Sequence, residues 1–323
     1  MKKVYVTRKL PEKALKMLDG KVEWSVNPED RVLTKEELIQ NGKDCDGILC
    51  LLTDPIDQEI MEKCPKVKIF SNYAVGYNNI DVEEATRRGI MVTNTPGVLT
   101  ETTADFAFAL LMAIARRIVE ADHFLRAGKF KGWAPMLFLG QDVHNRTLGI
   151  LGMGRIGQAV ARKGRFGFNM NILYYDAHRN EKVEKELDAN FCSPEELFAQ
   201  SDFVSIHLPL TKETHHFVNA DLLGRMKETA CLINTARGPI VDEEALVKVL
   251  KEKKIFGAAL DVFEKEPEVH PGLLDLENVI LVPHLASASV ETRTKMAVMA
   301  VENLLAGLEG KRPPCIVNPE VLE

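Results

Sequence analysis

Short apolar runs alternate with longer amphipathic segments along almost the whole chain. The short runs are apolar at consecutive positions, which is typical of strands buried on both faces of a sheet. Strands that alternate with helices favour parallel sheets covered by helices. The predicted strands are residues 4–7, 47–52, 67–71, 90–93, 147–151, 171–175, 203–207, 230–234, 257–261 and 279–282. The shorter predicted helices are residues 36–40, 57–63, 82–88, 156–166, 194–199 and 243–251.

Two long helical segments, residues 100–126 and 290–308, interrupt this alternation. Each follows a series of predicted strands, and an extended piece, residues 314–318, comes after the second. We interpret the two helices as crossings between domains. The pattern therefore predicts two doubly wound α/β domains: a discontinuous one of residues 1–99 plus 289–323, and a continuous one of residues 100–288. Residues 129–145 have no clear period and are predicted to form an irregular loop.

Composition and charge exclude several classes of protein. With 46% hydrophobic and 27% charged residues, the chain has enough apolar surface to fold, so it is not mainly disordered. Its longest apolar run, residues 106–115, is half the length of a membrane-spanning helix. The amino terminus lacks the apolar stretch of a secretory signal. Acidic side chains outnumber basic ones by 47 to 41, and the basic ones form no cluster. Both observations argue against nucleic-acid binding.

The six cysteines are scattered, without a CxxC pair or the spacing of zinc ligands. We therefore expect no metal site. Free thiols are typical of a reducing compartment, so the sequence predicts a cytoplasmic protein.

A glycine motif follows the strand predicted at residues 147–151. Gly152, Gly154 and Gly157 form GxGxxG between this strand and a helix. In a dinucleotide site the first glycine permits the tight turn, the second lets the backbone approach the pyrophosphate, and the third allows close helix packing. The N–H groups at the helix start then face the phosphate charge. The surrounding strand and helix make this signal much stronger than the glycines alone.

An acidic residue stands where such a site needs one. Asp176 ends the next strand, nineteen residues after Gly157. A carboxylate there can hydrogen-bond the adenosine ribose and repels a 2′-phosphate, so NAD is favoured over NADP. Arg179 lies nearby and can pair with a phosphate, which leaves NADP open.

Three further residue types indicate chemistry at the carboxyl ends of later strands, where ligands of doubly wound sheets bind. Arg237 offers a planar fork for a carboxylate. His284 and His207 both follow an apolar strand, and the local pattern does not decide between them. Glu266 lies in an acidic loop, and a carboxylate beside an imidazole stabilises its charged form. The imidazolium could then donate a proton, although Glu266 can meet a histidine only through the fold.

Taken together, these motifs resemble those of the D-isomer-specific 2-hydroxyacid dehydrogenases, and the resemblance covers essentially the whole chain. It is greatest to glyoxylate/hydroxypyruvate reductases and bacterial 2-ketogluconate reductases. The motifs that carry it are Asn72–Asp81, the glycine turn, His207–Thr214, Asn234–Asp242, Ala259–Pro267 and Pro283–His284.

The resemblance implies a flavodoxin-like substrate domain and a Rossmann NAD-binding domain with a cleft between them. It implies Arg237, Glu266 and His284 as catalytic residues, choosing His284 over His207. It assigns the substrate to the backbone of Val75 and Gly76 and to Arg237 and His284. The implied cofactor contacts, besides the three glycines, are Thr103, Arg155, Ile156, Asp176, His207, Pro209, Thr214, Thr235, Ala236, Arg237, Asp261, His284 and Ala286.

The implied reaction is reduction of a small 2-oxo acid by NAD(P)H, with NADH preferred, to the D-2-hydroxy acid. Glyoxylate and hydroxypyruvate are the first substrates to consider, and a 2-ketogluconate or 3-phosphoglycerate-type dehydrogenase is the alternative. A corepressor or scaffold that senses NAD is the non-enzymatic alternative.

The helix predicted over residues 100–126 is apolar around much of its circumference. Phe106, Phe108, Leu110 and Leu111 exceed what one buried face requires. Together with the resemblance, this surplus predicts a homodimer.

Overall fold

The computed structural model describes residues 1–323 and contains twelve strands, all paired in parallel. The strands are β1 (Lys3–Val6), β2 (Glu23–Val26), β3 (Gly47–Cys50), β4 (Ile69–Asn72), β5 (Met91–Thr93), β6 (Thr147–Leu151), β7 (Asn171–Tyr175), β8 (Ala189–Phe191), β9 (Phe203–Ile206), β10 (Cys231–Asn234), β11 (Gly257–Leu260) and β12 (Val279–Leu281).

Thirteen α-helices connect these strands, with three short 3₁₀ turns at Lys16–Leu18, Gly238–Ile240 and Pro319–Leu322. The helices are α1 (Glu12–Leu15), α2 (Lys35–Gly42), α3 (Gln58–Lys63), α4 (Val82–Arg87), α5 (Thr100–Ala115), α6 (Ile118–Arg126), α7 (Arg155–Phe168), α8 (Glu181–Leu187), α9 (Pro194–Gln200), α10 (Ala220–Gly224), α11 (Glu243–Lys251), α12 (Pro271–Leu274) and α13 (Val290–Leu308). None of them combines the length and the apolar character that crossing a membrane requires.

The chain divides into two compact units. The first consists of residues 1–99 and 288–323. Its sheet has the order β2-β1-β3-β4-β5, the flavodoxin-like arrangement. Helix α13 lies across β3 and β4. The carboxyl-terminal segment closes the unit, because Val317 N–H donates to the Val92 carbonyl at 2.7 Å and the Asn318 side chain accepts the Val92 N–H.

The second unit consists of residues 100–287. Its sheet has the order β12-β11-β10-β9-β6-β7-β8, the Rossmann order extended by one strand at the β12 edge. Helices cover both faces: α5 and α7 pack over a core that includes Ile150 and Tyr174, and a second core around Leu232 and Leu246 lies on the other face. The predicted fold class, two doubly wound parallel-sheet domains, is confirmed.

The prediction of one continuous helix over residues 100–126 is wrong. The helix is interrupted between Ala115 and Ile118, where Arg117 has a φ of 52° in the left-handed region. Arg117 is held there by its own ion pair with Glu120. The sequence pattern carries no glycine or proline to mark this break.

Burial also corrects the argument made from this helix. Phe108, Leu110 and Leu111 are buried in the unit's own core, and Phe106 packs against that core. They therefore do not supply a surplus apolar surface. The exposed apolar side chains lie further along the chain, in α6 and the irregular loop after it: Ile118, Leu125, Phe130, Trp133, Met136, Leu137 and Leu139.

Candidate active site

The chain turns sharply between β6 and α7, at residues 152–157. Gly152 has a φ of 100°, which side-chain-bearing residues rarely adopt, and a Cβ on Gly157 would lie 2.1 Å from the Gly152 carbonyl oxygen. Gly154 differs, because a Cβ there would meet no protein atom within 4 Å. The fold itself therefore requires glycine at 152 and 157, whereas Gly154 borders open space at the start of α7.

This turn lies where the strand order reverses. β6 pairs with β7 on one side and with β9 on the other, and doubly wound sheets bind ligands at such a point. No side chain caps the start of α7, so its first N–H groups can bind an anion. Asp176 follows β7, and its Oδ2 accepts a hydrogen bond from Met153 N–H at 2.7 Å. The carboxylate is thus held beside the glycine turn.

A buried hydroxyl supports a ligand at this edge of the sheet. Thr235 follows β10, and its Oγ1 is buried without a hydrogen-bond partner, a state that costs about 1–3 kcal/mol. Together with the space at Gly154 and the uncapped helix, this donor set fits a dinucleotide. The other predicted contacts at the carboxyl ends of β9–β12 are His207, Pro209, Thr214, Ala236, Asp261 and Ala286. Arg155 and Ile156 begin α7, and Thr103 is buried on α5.

The structure brings two predicted catalytic residues into direct contact and places the third nearby. β10, β11 and β12 are neighbours, and the loops after them carry Arg237, Glu266 and His284. Glu266 Oε2 lies 2.9 Å from His284 Nδ1, and Glu266 Oε1 accepts the Phe263 N–H at 3.1 Å. The carboxylate is fixed through both oxygens, and Nε2 is the remaining ring nitrogen of His284.

Charge and burial determine the ionisation of Glu266 and Arg237. Burial raises the pKa of Glu266, but the hydrogen bond and charge of His284, the Phe263 N–H and the charge of Arg237 together hold it below its usual value. Burial lowers the pKa of Arg237, opposed by the Glu266 charge. A partly desolvated guanidinium binds a carboxylate more strongly than one in water, which suits Arg237 to an anionic substrate.

The backbone of His284 is itself unusual. Its φ is 53°, a left-handed conformation that persists in a non-glycine residue only where the surroundings fix it. The His284 N–H donates to the Asp261 carbonyl at 2.9 Å. The Asp261 carboxylate then accepts the N–H groups of Leu285 and Ala286. Asp261 therefore positions the loop that carries His284.

His207 has a different environment. Its Nε2 lies 2.8 Å from Ser205 Oγ, and burial lowers the pKa of His207 to about 3. The ring is therefore neutral at physiological pH and is unsuited to donate a proton, although it can still border a bound cofactor. This environment separates the two histidines that the local sequence pattern left undecided.

A bridge that the sequence pattern did not predict joins the loops of Arg237 and Glu266. The His216 N–H donates to the Pro239 carbonyl at 2.8 Å, and its Nε2 lies 2.9 Å from Glu264 Oε1. The Glu264 N–H donates to buried Glu243 at 2.6 Å. The loops approach so closely that a Cβ on Gly238 would lie 1.9 Å from the Phe263 carbonyl carbon. The one available signal was Glu264, two positions before Glu266.

Val75 and Gly76 lie in the first unit, in the loop after β4. Asn94 Nδ2 donates to the Val75 carbonyl at 2.7 Å, and Asn72 Nδ2 donates to the Gly76 carbonyl at 3.0 Å. The two asparagines fix the orientation of these peptide groups.

A Rossmann sheet with a glycine turn at its switch point, and an arginine and a carboxylate–imidazole pair on the same edge, defines a dinucleotide-dependent dehydrogenase. Residues 108–286 match the model of the D-isomer specific 2-hydroxyacid dehydrogenase NAD binding domain. The chain belongs to this family and is an NAD(P)-dependent oxidoreductase.

Relatives of known name and structure agree with this membership. A glyoxylate reductase of Korarchaeum cryptofilum is 57% identical over 99% of this chain and 97% of its own. A solved protein of Thermus thermophilus has a TM-score of 0.92 at 45% identity, covering 98% of this chain and 99% of that one. The NADPH-dependent glyoxylate/hydroxypyruvate reductase of Sinorhizobium meliloti, in complex with NADP and malonate, has a TM-score of 0.86 at 34% identity, covering 99% and 97%.

Proposed function

We propose that this protein reduces a small 2-oxo acid, glyoxylate or hydroxypyruvate, to the D-2-hydroxy acid with NADH. The observation that carries the proposal is the His284–Glu266 pair at 2.9 Å, beside Arg237 and on the same sheet edge as the dinucleotide turn. The names of the relatives support the two substrates.

In the proposed mechanism His284, Glu266 and Arg237 have different roles. Nicotinamide, when bound, supplies the hydride for the carbonyl carbon. His284 donates a proton from Nε2 to the carbonyl oxygen, and ionised Glu266 stabilises the imidazolium before the transfer. Arg237 binds the substrate carboxylate and polarises the carbonyl. The N–H groups of Val75 and Gly76 are assigned to substrate binding as well. The Asn94 bond to the Val75 carbonyl orients the Gly76 N–H, which belongs to the same peptide group, and the Thr95 N–H, which donates to the Ala74 carbonyl at 2.8 Å, orients the Val75 N–H in the same way.

His284→Ala tests this assignment. General acid catalysis contributes about 10²–10⁴ in rate, so kcat should fall by that factor across a panel of 2-oxo acids. The NADH Kd should change little, because the glycine turn and Asp176 are expected to hold most of the dinucleotide. His144→Ala, which removes an exposed histidine, is the matched control. Full turnover by His284→Ala would show that the proton comes from elsewhere.

The preference for NADH is proposed from Asp176, whose carboxylate is fixed beside the glycine turn by Met153 N–H. A 2′-phosphate would meet this negative charge. Replacing Asp176 with serine should narrow the difference between the two cofactors in kcat/KM. Equal efficiency of the unmodified enzyme with NADH and NADPH would contradict the preference.

We also propose a homodimer formed through the second unit, in the cytoplasm. The exposed apolar side chains between Ile118 and Leu139 support the dimer, and such patches are typical of protein interfaces. Exposed Phe166 borders a further apolar hollow of about 700 Å³ in the same unit. The six cysteines form no disulfide, which supports the proposed location in a reducing compartment, the cytoplasm.

A further inference from the structure

Arg179 lies three residues beyond Asp176, in the loop that joins β7 to α8. An arginine at this place can bind the 2′-phosphate of NADP. Its position therefore conflicts with the proposed preference for NADH, unless something restrains its side chain.

Glu184 on α8 provides that restraint. Arg179 Nε donates to Glu184 Oε1 and its Nη2 to Oε2, each at 2.8 Å. This two-pronged geometry is the strongest form of an arginine–carboxylate pair. The Glu184 side chain is only 15% exposed, against 62% for Arg179. The carboxylate is therefore the anchored partner, and the arginine is held to it.

A buried tyrosine fixes Glu184 in turn. The Tyr174 hydroxyl, on β7, donates to Glu184 Oε1 at 2.7 Å and accepts the Asn180 N–H at 2.8 Å. Tyr174 is fully buried. The loop from Asp176 to Asn180 is thus tied at its far end to the strand from which it leaves.

The electrostatics agree with this geometry. The hydrogen bonds from Arg179 and then Tyr174 lower the pKa of Glu184 to about 2, so the carboxylate is ionised at every physiological pH. Its charge is opposite to that of Arg179, and a 2′-phosphate would have to compete with it for the same guanidinium N–H groups.

We propose that Glu184 is a specificity-determining residue, which withholds Arg179 from a 2′-phosphate and so strengthens the discrimination against NADPH by Asp176. The proposal rests on the proposed NADH preference. It assigns the selection of NADH over NADPH to two carboxylates: Asp176, which would bind the adenosine ribose, and Glu184, which forms an ion pair with Arg179.

Binding measurements test this directly, without turnover. Isothermal titration calorimetry would compare NADH with NADPH, and adenosine 5′-monophosphate with adenosine 2′,5′-bisphosphate, a pair that differs only in the 2′-phosphate. Glu184→Gln keeps the size of the side chain and an acceptor for Tyr174. It should tighten the binding of NADPH and of the bisphosphate by roughly 5- to 20-fold, with little effect on NADH and the monophosphate. Glu186→Gln is the matched control, because it removes the same charge from α8 where Lys182 is the partner.

Arg179→Ala gives a second test that does not depend on the folding of Glu184→Gln. As a single substitution it should leave NADPH affinity unchanged, because Glu184 already binds the Arg179 guanidinium. In the Glu184→Gln background it should abolish the gain.

The outcomes distinguish the two proposals. Equal affinity of the unmodified protein for NADH and NADPH would refute the NADH preference. A preference for NADH that persists without any gain in Glu184→Gln would refute the role of Glu184 alone. Weaker NADPH binding in Arg179→Ala would also refute it, since Arg179 would then already contact the phosphate.

Discussion

Each oxygen of the Glu266 carboxylate has its own partner, and the two hydrogen bonds differ in consequence. The Phe263 N–H orients the side chain, whereas the contact with His284 brings a negative charge to the imidazole. Because the pKa of Glu266 is held below its usual value, the carboxylate stays ionised from neutral pH down into mild acid. The charge that supports the imidazolium is therefore present throughout the range in which the enzyme would be assayed.

Glu266→Gln should keep the orientation and remove the charge. Loss of a negative charge beside the ring disfavours the imidazolium, so the fall in reduction rate with rising pH should begin at lower pH than in the parent. The measurement is kcat/KM against pH with NADH saturating. Glu268→Gln, which removes the same charge two positions further along the same loop, should keep the parent profile. An unshifted profile for Glu266→Gln would leave Glu266 with a positional role only.

The low pKa of His207 predicts that the free energy of unfolding depends on pH. Its pKa in the fold is lowered to about 3, so below about pH 6.5 the unfolded chain binds a proton that the folded chain does not. Stability is therefore lost as pH falls from about 6.5 towards 3. His207→Gln should remove this loss, making the decrease in unfolding free energy between pH 7 and pH 5 smaller by about 2 kcal/mol. Urea titrations at both pH values measure it, and equal decreases would show that His207 is accessible to protons.

At the scale of elements, the turn from β6 to α7 contains two kinds of glycine. The fold requires Gly152 and Gly157, whereas Gly154 is expected to be required by the bound cofactor. Gly154→Ala should fold with unchanged stability, because the added Cβ meets no protein atom within 4 Å. It should nevertheless weaken NADH binding at least about tenfold, since the methyl group would occupy the approach to the pyrophosphate. Thermal unfolding and NADH fluorescence titration test the two parts separately. A variant that binds NADH normally would remove Gly154 from the cofactor site.

Gly157→Ala is the contrasting variant. Its Cβ would lie 2.1 Å from the Gly152 carbonyl oxygen, so α7 would have to move away from the turn. Stability should fall together with NADH affinity.

The sequence predicted ten of the twelve strands and missed β2 and β8. β6 and β7 have the predicted bounds, because each is a nearly continuous apolar run. β2 and β8 are edge strands. In β2 the residues Glu23 to Val26 are exposed or half-buried, so they carry no apolar run to detect. Four short helices, α1, α8, α10 and α12, were also missed.

The site shows the same division between local and long-range information. The glycine turn and Asp176 were predictable, because their function depends on spacing along the chain. The contact of Glu266 with His284 depends on the register of β11 and β12. The His216 bridge depends on two loops meeting, which no sequence period encodes.

At the scale of the whole molecule, the proposed dimer predicts a mass. Sedimentation at micromolar concentration should give about twice the chain mass of 36.1 kDa. Phe166→Asp should shift it towards the monomer, because Phe166 is 69% exposed at the apolar hollow of the second unit and a buried charge opposes association. Val290→Asp, on an 81% exposed apolar residue of the first unit, is the control. A monomer for the unmodified protein would refute the dimer.

The first unit is assembled from both ends of the chain, and this affects its biosynthesis. The ribosome completes β1–β5 first, then makes the entire second unit, and only afterwards α13 and the segment that pairs with Val92. The faces of β3 and β4 that α13 covers therefore remain exposed until α13 has been synthesised. Exposed apolar surface favours aggregation during this time. The second unit, continuous along the chain, can fold in that interval. Codon changes or chaperone depletion should therefore affect the yield of this protein mainly through its amino-terminal sheet.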